Sequence, residues 1–231
     1  MPTTLNASWD PATIVLSYII AVTGSFCTIQ IMEQWRLTQH PRRQILLMGA
    51  ASVALGGCGI WSMHFTGMQA YKLQTADGIP LAVRFEGFST IASLMLPIVG
   101  VFIGLRVASR DPFFLELEQS RRKTIVAQNL GNVRLTDMLK RGSMQRKIKF
   151  VALFSNPWRI LLGGVFAALG VLVMHYLGMV ALRAHAVMTF NAGIVALSCV
   201  VALCTAAAAF WILFRAVRPW LLRIVVIVIA D

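Results

Sequence analysis

The sequence predicts an all-α membrane protein, a polytopic bundle of about six transmembrane helices with internally repeated helices. Two observations on the whole chain predict this fold class. Hydrophobic residues make up 58% of the 231 residues and the mean hydropathy is +0.73, which is too apolar for a domain whose surface faces water. Apolar windows of about 20 residues, the length of helix that crosses a hydrocarbon layer of roughly 30 Å, recur along the chain.

These windows predict five complete spans, at residues 12–32, 45–71, 88–108, 160–182 and 191–214. A sixth apolar segment, 219–230, would reach only about 18 Å, so we expect the chain to stop within an incomplete sixth span. In span three, Gly100 and Gly104 predict a face for close helix packing. No Asp or Glu lies in the middle of a span, which disfavours a proton-coupled transporter or pump, because such proteins usually need carboxylates within the membrane.

The basic residues predict the orientation of the spans. With the N-terminus outside, 18 of the 21 Lys and Arg residues fall on the inner side, and only Lys72, Arg84 and Arg183 fall outside. Because basic residues are retained on the cytosolic side, we expect an outside N-terminus, a cytosolic 109–158 loop and a location in the plasma membrane. The net charge of +12 then reflects membrane topology, and no nucleic-acid partner is predicted.

The 109–158 loop, which we call the basic loop, mixes clusters of Lys and Arg with apolar residues. One interpretation is a set of interfacial helices that contact anionic lipid head groups. The other is a solvated linker. At this length the loop is too short to form an independent domain with a sizeable core.

Spans two and four end in the same motif. Residues 59–70 read GIWSMHFTGMQA and residues 170–181 read GVLVMHYLGMVA, so six of the twelve positions are identical at a constant offset of 111. His and Met are uncommon residues, and chance does not account for such a match. The two segments are therefore an internal repeat.

The repeat predicts that His64 and His175 lie at the same depth. Each histidine is about seven residues from the outer end of its span, or roughly 10 Å deep, and both spans run in the same direction. His64 and Met68 share a helix face because they are four residues apart, and the second copy repeats this spacing. One site can thus draw on both helices.

Imidazole and thioether groups together form a soft donor set, which suits copper. Thioethers carry no charge, so such a site avoids the cost of placing anionic ligands in hydrocarbon. Two imidazoles on facing helices are also the ligands of a b-type haem. The residues alone leave copper and haem b open as cofactors.

With both motifs in view, the chain resembles the MHYT family of integral membrane sensory domains. The resemblance covers the membrane part of the chain, which we treat as one MHYT-like domain over residues 1–231, and the long basic loop is similar to that of fungal members. It implies a copper site and a sensor of oxygen, CO or NO. A third motif is expected in span six, beyond the end of this sequence. The metal ligands nominated by the resemblance are Met63, His64, Met68, Met174, His175, Tyr176 and Met179.

The leading hypothesis is a membrane sensor of a diatomic gas or redox signal, with an outer-leaflet copper site that acts through the cytosolic loops on a signalling partner. No catalytic residue is predicted, and the expected role is not enzymatic. The alternatives are a membrane protein of electron transfer or redox chemistry with haem b between His64 and His175, a copper transport or delivery protein, and a structural protein whose repeats only pack.

Overall fold

The structure, a computed structural model, describes residues 6–74, 84–110, 157–180, 182–183 and 191–216. Within these residues five helices are long and apolar enough to cross a membrane, which confirms the predicted all-α bundle. The predicted sixth span at 219–230 and the interior of the basic loop lie outside the described residues. Spans one to five are Pro11–Leu37, Pro41–Gln69, Gly87–Ala108, Trp158–Val180 and Ala192–Arg215.

Span one is a single helix, α1 (Pro11–Leu37), whose start is fixed by local sequence. The Asp10 side chain accepts a hydrogen bond from the Ala12 amide at 3.2 Å, which satisfies one of the free N–H groups of the first turn. Pro11 occupies the first helical position, where its missing N–H is not needed. Span one is followed after three residues by span two, so the two helices are antiparallel neighbours.

Span two changes its helical winding along its length. It begins as α2 (Pro41–Ser52), continues as a π-helix (Val53–Trp61) and ends as α3 (Ser62–Gln69). Gly56 lies in the π-helix, and a Cβ placed on it would be 2.7 Å from the carbonyl carbon and oxygen of Pro97 in span three. Because only glycine allows this approach, the backbones of spans two and three touch here. The apolar window at 45–71 predicted this span but indicated no π-helix within it.

Two short sheets lie at one end of the bundle. Strand β1 (Asn6–Trp9) pairs antiparallel with β2 (Tyr71–Gln74), and β3 (Arg84–Phe85) pairs antiparallel with β4 (Leu182–Arg183). The predicted spans 45–71 and 160–182 therefore extended slightly too far, into strand residues. These pairings bring the starts of spans one and three and the ends of spans two and four to the same end, which we call the motif end.

Among the described residues, spans three and four make an extensive helix–helix contact. Span three is α4 (Gly87–Ala108) and span four is α5 (Trp158–Val180). A Cβ on Gly100 would be 2.9 Å from the Phe166 carbonyl oxygen, and a Cβ on Gly104 would be 2.5 Å from the Gly163 carbonyl oxygen. The glycine pair that the sequence singled out is therefore the close-packing face of span three.

The opposite end of the bundle, which we call the loop end, holds the main apolar core. Span five, formed by α6 (Ala192–Trp211) and a second π-helix (Ile212–Ala216), meets span one there. Buried Arg36 donates to the Leu213 carbonyl oxygen and pairs with Glu33 at 3.4 Å. The core residues at this end include Met32, Met48, Leu105, Ile160, Phe210 and Phe214.

Candidate metal centre

The two motif histidines face each other across spans two and four. The ring centroids of His64 and His175 are 5.0 Å apart, with 68° between the ring planes. His64 comes from α3, the last segment of span two, and His175 from the last turns of α5. The structure thus brings together the two imidazoles that the repeat placed at equal depth.

His64 lies in a tightly packed apolar surrounding. Its ring meets that of Phe65 edge to face at 5.1 Å, and Phe65 in turn meets Phe85 of β3 at 5.4 Å. The Nε2 atom of His64 is buried, and no group in the described part of the chain hydrogen-bonds to it. A buried polar atom without a partner costs free energy, and such an atom in a native site calls for a ligand or another explanation.

His175 is bordered by a hydrogen-bonded tyrosine. The ring centroids of His175 and Tyr176 are 5.1 Å apart, and the Tyr176 hydroxyl lies 2.6 Å from the Ser198 hydroxyl of span five. Tyr176 would have to give up or share this bond in order to bind an ion. Ser198 itself donates to the Val195 carbonyl oxygen at 2.8 Å, so the link is anchored in the backbone of span five.

The four methionines nominated from the sequence lie along the same helix ends as the histidines. Met174 is buried, whereas Met63, Met68 and Met179 are half-buried. Within the described ranges, no group of three or more His, Cys, Asp and Glu side chains could hold a metal ion. An ion at this site would therefore rely on the two imidazoles with softer or neutral donors, and the methionine ligands stay a prediction.

The spacing of the two rings fits a single bound ion. Metal–nitrogen bonds to histidine are about 2 Å long, so one ion shared by two imidazoles needs ring centroids within about 6 Å of each other. The observed 5.0 Å meets this limit. The buried Nε2 of His64 supplies a nitrogen that no described group already uses.

Several residues that the sequence did not nominate as ligands also shape this site. Gly178 lies against the His64 ring, and a Cβ on it would be 2.9 Å from Nε2. Trp61 packs on Phe65 at 4.8 Å, with its indole N–H donating to the Ser93 hydroxyl at 3.0 Å. The repeated glycine was visible in the motif, but its partner was not, and nothing in the sequence pointed to Ser93 or Ser198.

Comparison with protein families gives two matches to one family. The MHYT family model, described as a bacterial signalling protein N-terminal repeat, matches residues 57–117 and 169–226. Each matched segment contains one copy of the histidine motif, and together they cover just over half of the chain. The internal repeat found in the sequence is thus the repeat that defines the family.

The chain is similar to three curated relatives, in each case over only part of the relative's length. The chain is 25% identical over 212 residues to the bifunctional diguanylate cyclase/cyclic di-GMP phosphodiesterase MucR of Pseudomonas aeruginosa, covering 91% of this chain and 24% of MucR. It is 26% identical over 106 residues to the signaling protein YkoW of Bacillus subtilis, covering 46% and 12%. The cyclic di-GMP phosphodiesterase NbdA of Pseudomonas aeruginosa is 23% identical over 165 residues, covering 71% and 20%.

The chain therefore spans about a quarter or less of the length of these curated relatives. No solved structure matches it. Five membrane-spanning helices and two family matches, each around one of the paired histidines, lead to one conclusion. The chain belongs to the MHYT family and is an integral membrane signalling domain.

Proposed function

We propose that this chain is a sensory membrane module in which His64 and His175 hold a copper ion, and that a diatomic gas or a change of redox state at this ion is the signal. The observation that carries the proposal is the approach of the two imidazoles, 5.0 Å apart, from equivalent positions of two repeated spans. Copper would supply a redox-active centre with coordination positions left for a small ligand. The further donors we propose are Met63, Met68, Met174 and Met179.

The packing around His64 favours a single ion over a haem group. A porphyrin ligated by both histidines must lie between the two rings, and their centroids are only 5.0 Å apart. Gly178 and Phe65 also close the space beside His64. Haem would therefore require the two rings to move apart, whereas a single ion would not.

The signal would reach the loop end through span five. Tyr176, next to His175, is bonded to Ser198 near the start of span five, and the Leu213 carbonyl near its other end accepts from Arg36 of span one. A shift of span four at the metal centre would act on both contacts. Signalling further requires two packing states with different affinities for the sensed ligand.

The direction of signalling follows from the proposed orientation. We place the N-terminus and the motif end outside, in the outer leaflet of the plasma membrane, and the basic loop in the cytosol. There the loop would contact anionic lipid head groups and a cytosolic signalling partner. The names of MucR and NbdA describe enzymes of cyclic di-GMP turnover, so we propose that this chain, too, serves a cyclic di-GMP response.

Metal analysis of detergent-purified protein tests the copper site. Wild type and the His64→Ala/His175→Ala double variant are loaded with Cu(I) under reducing conditions, passed over a desalting column and analysed for bound copper. Because both imidazole ligands are absent, we expect the double variant to lose most of its copper. Removing groups that only support metal ligands already lowers affinity by about 10–100-fold, so removing two ligands should exceed that range.

The matched control is His40→Ala. His40 is exposed and lies between spans one and two, at the opposite end of span two from His64, so this variant removes an imidazole without touching the centre. It should keep the copper content of wild type. Equal copper content in the double variant, in His40→Ala and in wild type would refute the metal centre. Circular dichroism of each metal-free variant shows that the helices are retained.

A further inference from the structure

The two motif copies contain equivalent glycines, Gly67 and Gly178, which the structure places in different surroundings. Gly178 is buried against the histidine of the other copy. A Cβ on Gly178 would lie 2.9 Å from His64 Nε2, 3.4 Å from its Cδ2 and 3.2 Å from the Phe65 Cζ. A Cβ atom within 3.0 Å of another heavy atom forces one of the two to shift. An alanine at 178 therefore cannot coexist with the present position of the imidazole.

Gly67 makes no comparable contact within the described part of the chain. A Cβ on Gly67 would meet only the Ser17 hydroxyl of span one, at 3.9 Å, which is an ordinary van der Waals distance. The repeat offset of 111 makes Gly67 and Gly178 equivalent in sequence. Their different neighbours arise because span four packs beside His64, whereas Gly67 faces span one.

Gly178 lies beside His64 Nε2, the atom that would bind the metal ion. Nε2 of His64 is buried and has no hydrogen-bond partner in the described part of the chain, and the Gly178 backbone lies directly beside it. Because Gly178 has no side chain, its backbone can lie against the His64 ring, where a methyl group would not fit. The missing side chain also lets the two helices approach closely enough for the imidazoles to be 5.0 Å apart.

We infer that Gly178 is a positioning residue: because it carries no side chain, it sets the position of the His64 imidazole relative to His175 and leaves Nε2 free to bind the proposed copper ion. The ligand named here depends on the proposed function, whereas the positioning of the ring is a property of the metal-free chain. An experiment can therefore refute the copper ligand without refuting the positioning role of Gly178, and the reverse.

The first test compares Gly178→Ala with Gly67→Ala in metal-free protein. Histidine-selective nitrogen isotope labelling, read by NMR in detergent micelles, reports the ring nitrogens. We expect Gly178→Ala to shift the His64 resonances, because the added methyl group meets that ring. The His40 resonances should stay unchanged, because His40 lies at the other end of span two. Gly67→Ala should leave both unchanged. Unchanged His64 resonances in Gly178→Ala would overturn the inference, whatever copper does.

The second test is a double-mutant cycle, which keeps the inference testable if Gly178→Ala folds poorly. In the His64→Ala background the ring that meets the added methyl group is gone, so Gly178→Ala should lose most of its effect on the thermal midpoint. An effect that is equally large with and without His64 would show that Gly178 acts on something else. Failure of both Gly178→Ala and Gly178→Ala/His64→Ala to fold counts against the inference in the same way.

Copper binding then separates the two proposals. If wild type binds copper, Gly178→Ala should lower its affinity at least about 10-fold, as expected for a group that orients a ligand, and Gly67→Ala should stay within a few-fold. If wild type binds no copper, the proposed function fails, while the NMR comparison still decides the role of Gly178. Equal copper affinities in the two glycine variants, with binding by wild type, would contradict the positioning role.

Discussion

The two copies of the histidine motif have the same letters at half of their positions, but they have different neighbours. The first copy ends a span that contains a π-helix, and its His64 is enclosed by Phe65 and by Gly178 of the second copy. The second copy ends a regular α-helix, and its Tyr176 is bonded to span five. The comparison teaches that a repeat sets the depth of equivalent side chains, while the order of the spans sets what surrounds them.

Replacing the first glycine of each motif copy by alanine should reveal the largest difference in stability between the two copies. A Cβ on Gly170 would be 2.7 Å from the Leu96 carbonyl oxygen and 3.1 Å from Gly100 Cα, whereas one on Gly59 would be no closer than 3.5 Å to any atom. Overpacking against a backbone costs about 1–3 kcal/mol. We therefore expect Gly170→Ala to lower the free energy of unfolding by about that amount, measured by denaturation in mixed micelles.

Gly59→Ala is the matched control for this experiment. Its added methyl group makes only ordinary contacts, and alanine has the higher helix propensity by up to about 1 kcal/mol. Its free energy of unfolding should stay within about 1 kcal/mol of wild type. Equal destabilisation by Gly59→Ala and Gly170→Ala would mean that the two copies are packed alike, which would break the comparison.

Substitutions at the aromatic position of the second copy should change the free energy of unfolding by a smaller amount. Phe65 is buried among apolar rings, whereas its equivalent, Tyr176, shares a hydrogen bond of 2.6 Å with Ser198. Removing such a bond costs about 1 kcal/mol, so Tyr176→Phe and Ser198→Ala should each lower the free energy of unfolding by roughly this much. If the two hydroxyls act on each other, the double variant should cost less than the two single losses combined.

Copper affinity of Tyr176→Phe shows whether the tyrosine links the helices or binds the ion. An affinity within a few-fold of wild type is expected for a link to span five. A loss as large as that of His175→Ala would instead make Tyr176 a ligand, as the family resemblance implied. Strictly additive effects of Tyr176→Phe and Ser198→Ala on stability would argue against the link itself.

The apolar windows of the sequence predicted the fold class, and the repeat predicted the shared depth of the two histidines. Helices have a fixed rise per residue, so a constant offset in two spans that run in the same direction puts His64 and His175 at one height. The contact of Gly178 with His64, and that of Tyr176 with Ser198, could not be predicted, because they depend on which helices are neighbours. The π-helix of span two was also missed, and it is within this segment that Gly56 meets the backbone of Pro97 from span three.

The contacts between Asp10, directly after strand β1, and the end of the first motif copy should contribute least to stability. Their contribution should also depend on pH. Asp10 donates its backbone N–H at 2.9 Å to the carbonyl of Ala70, the last residue of the first motif copy, and its carboxylate pairs with Lys72 at 3.6 Å. The hydrogen bond from the Thr13 hydroxyl, and then the Lys72 charge, lower the pKa of Asp10 below its ordinary value. A lowered pKa in the folded state means that the ionised carboxylate stabilises the fold.

Because the pKa of Asp10 is lowered on folding, its contribution is complete above the ordinary carboxyl range of about pH 4 and is lost as the pH falls through the folded-state value. Asp10→Asn keeps the shape and a capping oxygen but removes the charge. Its thermal midpoint in detergent should lie slightly below that of wild type at pH 7, and the gap should narrow as the pH falls below about 4, since the wild-type carboxyl is then protonated too. Lys72→Gln should reproduce the part of the gap due to the ion pair. A gap that is the same at pH 7 and at pH 3 would show that the charge of Asp10 does not tether the first motif copy to span one.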